Sequence, residues 1–321
     1  MSTPTLPRTA SRSRQLVAAA ARTTLDPVPT DIPTRTAAKA TQLVAASART
    51  SFDPFTDIDW SIAPTDDAFH LPPDKLPLFG TAQWDAMSTG ERHAYSRHEC
   101  AALCGAGIWF ENKLMQIVLR HLAEIPVTDP SHRYLLVEVA DECRHSTMFG
   151  EYIRRAGTPA YGPSGIDDID LTTLPGGRAM GYLLILAIEE LLDVCNRATM
   201  RDETVHPLSR QIARIHVLEE ARHVSFAKAY LAETWPQLSE TERTEAAAIA
   251  PIAVEFVAQL MVNDEVAATL GIPDGAEAAR TNPHHRTRIV NDLAKLVDFL
   301  TELGVIDATN RYEWTTRGLA A

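Results

Sequence analysis

Apolar positions recur every three to four residues through long stretches of this chain, and no run of alternating β-branched and polar residues is long enough for a strand. That period predicts helices. The phrase "STGERHAYSRHE" opens the first long one: Ser88 and Glu91 have capping-box spacing, and the helix can run to about Glu124, before Pro126. A second opens at "TDPSHRYLL", with Asp129 as N-cap and Pro130 as first helical residue, and closes at Gly157. A loop rich in Gly, Pro and Asp, reaching about Gly177, separates it from a third helix over 178–201. A fourth begins near Pro207 and stops at "TWPQ". A fifth follows the capping box Ser239–Glu242 and ends at Gly271; a sixth follows "TNPHH" and ends at Gly304. Residues 55–87, rich in Pro and Asp, predict an extended segment lying over the core. The expected fold class is all-α, with helices long enough for a bundle.

Composition narrows the function classes. The 321 residues suffice for one large domain, and 45% hydrophobic with 22% charged residues is ordinary for a soluble globular protein. A net charge of −12 without a dense Lys/Arg face argues against nucleic acid or an anionic membrane as partner. The central apolar stretch "YLLILAI" is seven residues, against roughly 20 for a bilayer span, so no transmembrane helix is expected. The four cysteines include no CxxC pair and are expected to be buried free thiols of a reducing cytosol, which places the protein in the cytoplasm. Residues 1–60 are expected to form an N-terminal arm, partly disordered, in which "QLVAAAARTTLDP" (Gln15–Pro27) recurs as "QLVAASARTSFDP" (Gln42–Pro54).

The candidate chemistry lies in a phrase said twice. "DECRH" (Asp141–His145) and "EEARH" (Glu219–His223) both read acid–Glu–x–Arg–His. Residues i and i+3 share a helix face, so Glu142 points with His145 and Glu220 with His223. A single Glu-x-x-His is ordinarily a solvated pair. Two of them are what a di-iron carboxylate bundle requires, where two further helices each add one Glu. Glu111 supplies it in the first helix, amid apolar neighbours where an unpaired carboxylate is costly. The third helix offers "AIEE". Glu111 precedes Glu142 by 31 residues and Glu189 precedes Glu220 by 31, which favours Glu189 over Glu190. The two halves then form an internal pair of hairpins. His216, one turn before Glu220, is open between a third imidazole ligand and a core histidine; the matching position in the first half is Glu138. Asp141 and Glu219 are placed to accept a hydrogen bond from an imidazole on the facing helix, with Arg144 and Arg222 holding those acids. Ile108, Met115, Phe149, Tyr182, Leu186 and Phe226 are candidates for facing the metals, or plain core. Carboxylates and neutral imidazoles suit iron and leave positions open for dioxygen.

Taken together, Glu111, "DECRH", Glu189 in "AIEE" and "HVLEEARH" resemble the p-aminobenzoate N-oxygenase (AurF-like) family of di-iron oxygenases, over roughly residues 80–235. The resemblance implies a ferritin-like four-helix di-iron bundle with additional C-terminal helices, making residues 61–321 a di-iron oxygenase domain. It implies that Glu111, Glu142, His145, Glu189, His216, Glu220 and His223 are metal ligands and the catalytic centre, His216 through the pattern His-x-x-x-Glu-x-x-His. It further implies two Fe ions (Fe/Fe rather than Mn/Fe), O2 as cosubstrate, and N-oxygenation of a small arylamine through a peroxo-di-iron(III) species. Glu138 departs from the family pattern, where a small residue is expected. No GxGxxG or Walker-type loop is present, so electrons are expected from a separate reductase or ferredoxin-like carrier. A homodimer is expected from the long helices. Two alternatives stand beside this: C–H hydroxylation or desaturation of another small molecule, and a ferritin-like iron-binding protein without organic substrate.

Overall fold

The computed structural model describes residues 34–163 and 174–321. Its helices are α1 (Arg35–Ser47), α2 (Ala82–Ala86), α3 (Thr89–Glu124), α4 (Pro130–Ala156), α5 (Gly177–Arg201), α6 (Pro207–Thr234), α7 (Glu240–Gln259), α8 (Asp264–Thr269), α9 (Gly275–Thr281), α10 (Pro283–Asp292), α11 (Ala294–Glu302) and α12 (Arg311–Thr316). Among the described residues there is no strand, only an isolated bridge between Phe69 and Val205. The fold is all-α.

The ends of the four long helices are set by local chemistry. Ser88 and Glu91 form a reciprocal capping box at the start of α3. The Asp129 side chain accepts from the Ser131 N–H, and Pro130 opens α4 without wasting a donor. Gly157 ends α4 at φ 64°, a conformation only glycine adopts without strain. Pro207 opens α6 in the same way as Pro130. α3 packs along α4 and α5 along α6, and the two hairpins face each other with α3 on α5 and α4 on α6. Gly105 lets the segment that follows α4 approach closely: a Cβ there would stand 1.9 Å from the Tyr161 carbonyl oxygen.

Several expectations change here. α1 falls within the first 60 residues, set apart above as an arm, yet it packs on α4 and α6, and the compact unit begins at Arg35. Ala37, Ala40 and Leu43 on one face of α1 drive this. The first copy of the duplication lies outside the described residues. The segment 55–87 does lie over the core through Leu71, Leu76, Leu78 and Trp84, but it also coils into α2. The fifth expected helix stops at Gln259 instead of Gly271, because the Asn263 side chain caps a new helix by accepting from the Glu265 N–H. The sixth breaks at Leu293 into α10 and α11. Cys143 is exposed, whereas Cys100, Cys104 and Cys195 are buried free thiols. The stretch Glu240–Thr269 is long and apolar enough to cross a membrane by length and composition alone, a test that the core helix of a soluble protein also meets. Within it α7 packs on α5 and carries Pro251.

Candidate metal centre

α3 to α6 turn one face each inward, and near mid-length these faces carry Glu111; Glu142 and His145; Glu189; and His216, Glu220 and His223. All seven are at most 1% exposed. Two groups of atoms converge, each within 4.8 Å: Glu111, His145, His216 and Glu220 in one, Glu142, Glu220 and His223 in the other. Glu220 belongs to both. Glu189 lies outside both groups, although Glu220, Glu111 and Glu142 are near enough to act on its charge. The neighbouring Glu190 faces away and pairs with Lys228 at 2.5 Å.

His145 Nδ1 lies 2.9 Å from Glu142 Oε2 and 2.9 Å from Glu220 Oε1. His223 Nδ1 lies 2.9 Å from Glu142 Oε1 and 2.8 Å from Glu220 Oε2. The outer nitrogens cross between helices: His145 Nε2–H donates to Glu219 Oε2 at 2.9 Å, and His223 Nε2–H to Asp141 Oδ2 at 3.3 Å. These bonds fix the tautomer that turns both Nδ1 lone pairs toward the carboxylates. Arg144 pairs with Asp141 and lies 3.6 Å from Glu219; Arg222 lies 3.0 Å from Asp141 and 3.4 Å from Glu219. The result is a closed ring of two acids and two guanidiniums behind the imidazoles, as the doubled phrase suggests.

His216 enters from the other side. Its Nε2 is 3.5 Å from Glu111 Oε1 and 3.7 Å from Glu220 Oε1, and its Nδ1 is 3.0 Å from the Asn196 amide. The contacting atom is Asn196 Nδ2; turning the amide over, so that its oxygen accepts from Nδ1–H, leaves Nε2 a lone pair for the site. Burial lowers His216 to about 4, so it is neutral at neutral pH. Sequence reasoning missed Asn196. Its only signal is position, two turns after Glu189 on the same face of α5.

The electrostatics test whether metal ions fit. Burial, with Glu142 and Glu220 nearby, pushes Glu111 well above the usual carboxylate range. Burial, with Glu220, Glu111 and Glu142, does the same to Glu189. Burial opposes charge on His145 and His223 too, yet Glu142 and Glu220 together raise both imidazoles well above their ordinary value. The cluster therefore demands positive charge. Both oxygens of Glu111, Oε2 of Glu189 and Nε2 of His216 also make no hydrogen bond among the described residues. Buried lone pairs left unpaired are costly unless a cation takes them. Hard carboxylates with imidazoles suit divalent transition metals, iron among them, and the two groups of residues fit bound metal.

Glu138 is fully buried, with Oε2 unbonded among the described residues, but belongs to neither group. Burial pushes it up to about 8; His223 opposes this, while Glu142 and Glu220 add to it. Of the candidates for facing the metals, Phe149 lines a cavity of about 30 Å³ against His216, with Gly107, Tyr152, Leu192 and Asn196. Tyr182, Leu186 and Phe226 are plain core, and Ile108 and Met115 are half-buried; none of these five lines the cavity.

Fold and site together define a ferritin-like helical bundle with a buried carboxylate–histidine cluster able to bind metal. A family model, P-aminobenzoate N-oxygenase AurF, matches residues 33–304, and the chain belongs to that family of di-iron oxygenases. It is 30% identical over 217 residues to uncharacterized protein MT0908 of Mycobacterium tuberculosis (strain CDC 1551 / Oshkosh), covering 65% of this chain and 64% of the relative. Over 198 residues it is 30% identical to uncharacterized protein Rv0885 of Mycobacterium tuberculosis (strain ATCC 25618 / H37Rv), covering 59% of this chain and 58% of the relative. The chain thus spans less than two thirds of the length of these relatives.

Proposed function

We propose that this protein is a di-iron monooxygenase that N-oxygenates a small arylamine with O2, in the cytoplasm, with electrons from a separate reductase or ferredoxin-like carrier. The observation that carries this reading is the pair of buried ligand groups sharing Glu220. Glu111, His145 and His216 would hold one iron and Glu142 and His223 the other, with Glu220 between them and Glu189 completing the set. Two irons held there supply the redox chemistry by which O2 is activated. The chain itself sets the geometry. Glu219 and Asp141 hold Nε2–H of His145 and His223, so both imidazoles present Nδ1 inward. Asn196 orients His216. The surrounding core excludes water, which strengthens every charge interaction in the site.

A second reading is favoured by the cavity lining. None of the residues around the space beside His216 carries a permanent charge, so a carboxylate-bearing arylamine meets no cation there. Oxidation of a C–H bond in a neutral molecule fits that lining. The test is metal analysis by mass spectrometry, then O2 addition to the reduced protein with an arylamine or a neutral hydrocarbon. Two irons per chain and a hydroxylamine, nitroso or nitro product support N-oxygenation. Two irons with a hydroxylated hydrocarbon support the second reading. No bound metal refutes both.

A further inference from the structure

The duplicated N-terminal phrase has no part in the chemistry above, yet its second copy touches the acid–arginine ring behind the candidate ligands. Beyond α1 the chain crosses the acid–arginine ring as Thr50, Ser51 and Phe52. Arg222 Nη1 donates to the Thr50 carbonyl at 3.1 Å, Arg144 Nη2 to Ser51 Oγ at 3.1 Å, and the Phe52 N–H donates to Glu219 Oε1 at 3.2 Å. Three consecutive residues thus meet three of the four ring members. α1 anchors this strap, with the Thr36 N–H donating to Glu233 Oε2 of α6 at 2.8 Å.

The two acids of the ring are held differently. Asp141 accepts hydrogen bonds from both guanidiniums, Arg144 on Oδ1 and Arg222 on Oδ2 at 3.0 Å. Glu219 has the same guanidiniums only at 3.6 and 3.4 Å. Its Oε2 takes the His145 Nε2–H. Its Oε1 takes one hydrogen bond among the described residues, and that comes from Phe52. A fully buried carboxylate needs its lone pairs met. Without the strap, the oxygen opposite His145 has none but distant partners.

We propose that Ser51 and Phe52 are positioning residues for the metal centre, fixing Glu219 and through it the His145 imidazole; the effect on metal rests on the di-iron reading. The two copies of the duplication share part of this pattern. Both read Arg-Thr-hydroxyl-apolar-Asp-Pro, with Thr24 and Leu25 where the second copy has Ser51 and Phe52. The hydroxyl and the backbone N–H are common to both, while the aromatic ring is not.

The experiment uses the full chain loaded with iron. Phe52→Pro removes the N–H, Ser51→Ala removes the acceptor, and Phe52→Leu and Ser51→Thr keep both. Iron release to a chelator and the visible spectrum are recorded beside the thermal midpoint. Phe52→Pro releases one of the two irons about tenfold faster, in line with partners that orient ligating histidines. Ser51→Ala moves the same way, whereas Ser51→Thr and Phe52→Leu match wild type. Wild-type retention in Phe52→Pro overturns the proposal, as does equal damage from Phe52→Leu. If Phe52→Pro does not fold, the contrast of Ser51→Ala with Ser51→Thr decides. If the wild-type chain holds no iron, the di-iron reading fails by itself. The strap is then read from the His145 Nε2–H proton by NMR: about tenfold faster exchange in Ser51→Ala supports it, and unchanged exchange overturns it.

Discussion

The two hairpins of the bundle carry the same phrase at the same spacing but live in different surroundings. α5 is buried on every side from Ala179 to Asp193, because α7, α10 and α11 cover the face that α3 and α6 leave open. α3 in the first hairpin keeps an outer face, with Leu119 52% exposed. One turn before the repeated Glu, the first half has the acid Glu138 and the second the base His216. The acid behind the imidazole is Asp141, gripped by arginines, in one half and Glu219, reached by the strap, in the other. The repeated phrase thus sets a symmetric frame, and substitution at a few positions makes its two groups of candidate ligands unequal.

The largest effect comes from the residue the halves share. Glu220→Ala removes an atom from both groups, and metal analysis should fall from two irons per chain to none. Two bound irons would dissolve the two-group reading. Next in size is a change on one side only. His216→Gln should weaken one iron and alter its spectrum while the Glu142–His223 group keeps the other, and Glu138→Gln should retain both. If Glu138→Gln loses an iron and His216→Gln does not, the asymmetry runs opposite to the one drawn above.

Packing sharpens the same contrast. Leu184→Ala on α5 should cost about 2–5 kcal/mol in denaturant unfolding, a buried leucine lost with a cavity left behind. Leu119→Ala on α3 should stay within about 0.5 kcal/mol. Comparable losses would mean that the outer face of α3 is covered in solution.

The smallest effect concerns Glu99, a buried acid of α3 away from both metal groups. Burial pushes it up to about 7, against Tyr95 and Arg288, which pull it back. An acid raised on folding is protonated in the native state while the unfolded chain has released its proton. Its contribution is therefore full below pH 4.5, declines as pH rises, and levels off above about 7. Glu99→Gln should be more stable than wild type by about 1–3 kcal/mol above neutrality and equal to it in acid. A gap that widens toward acid pH would reverse the assignment.

The sequence by itself determined the helical class, the caps at Ser88, Asp129, Gly157 and Ser239, and the face on which Glu142, His145, Glu220 and His223 stand. Those features depend on residues within a turn of one another, where the helical period suffices. The 31-residue spacing favoured Glu189 over Glu190; in the structure Glu190 pairs with Lys228, while Glu189 lies outside both converging groups. The acid–arginine ring was legible because its members flank the motif. What the sequence left open depends on contacts between distant segments. Which acid serves which imidazole in space, Asn196 behind His216, the docking of α1, and Phe52 against Glu219 each join residues far apart along the chain. Local propensity carries no information about such pairs. They are fixed only when burying apolar surface brings the helices together and leaves each buried polar atom in need of a partner.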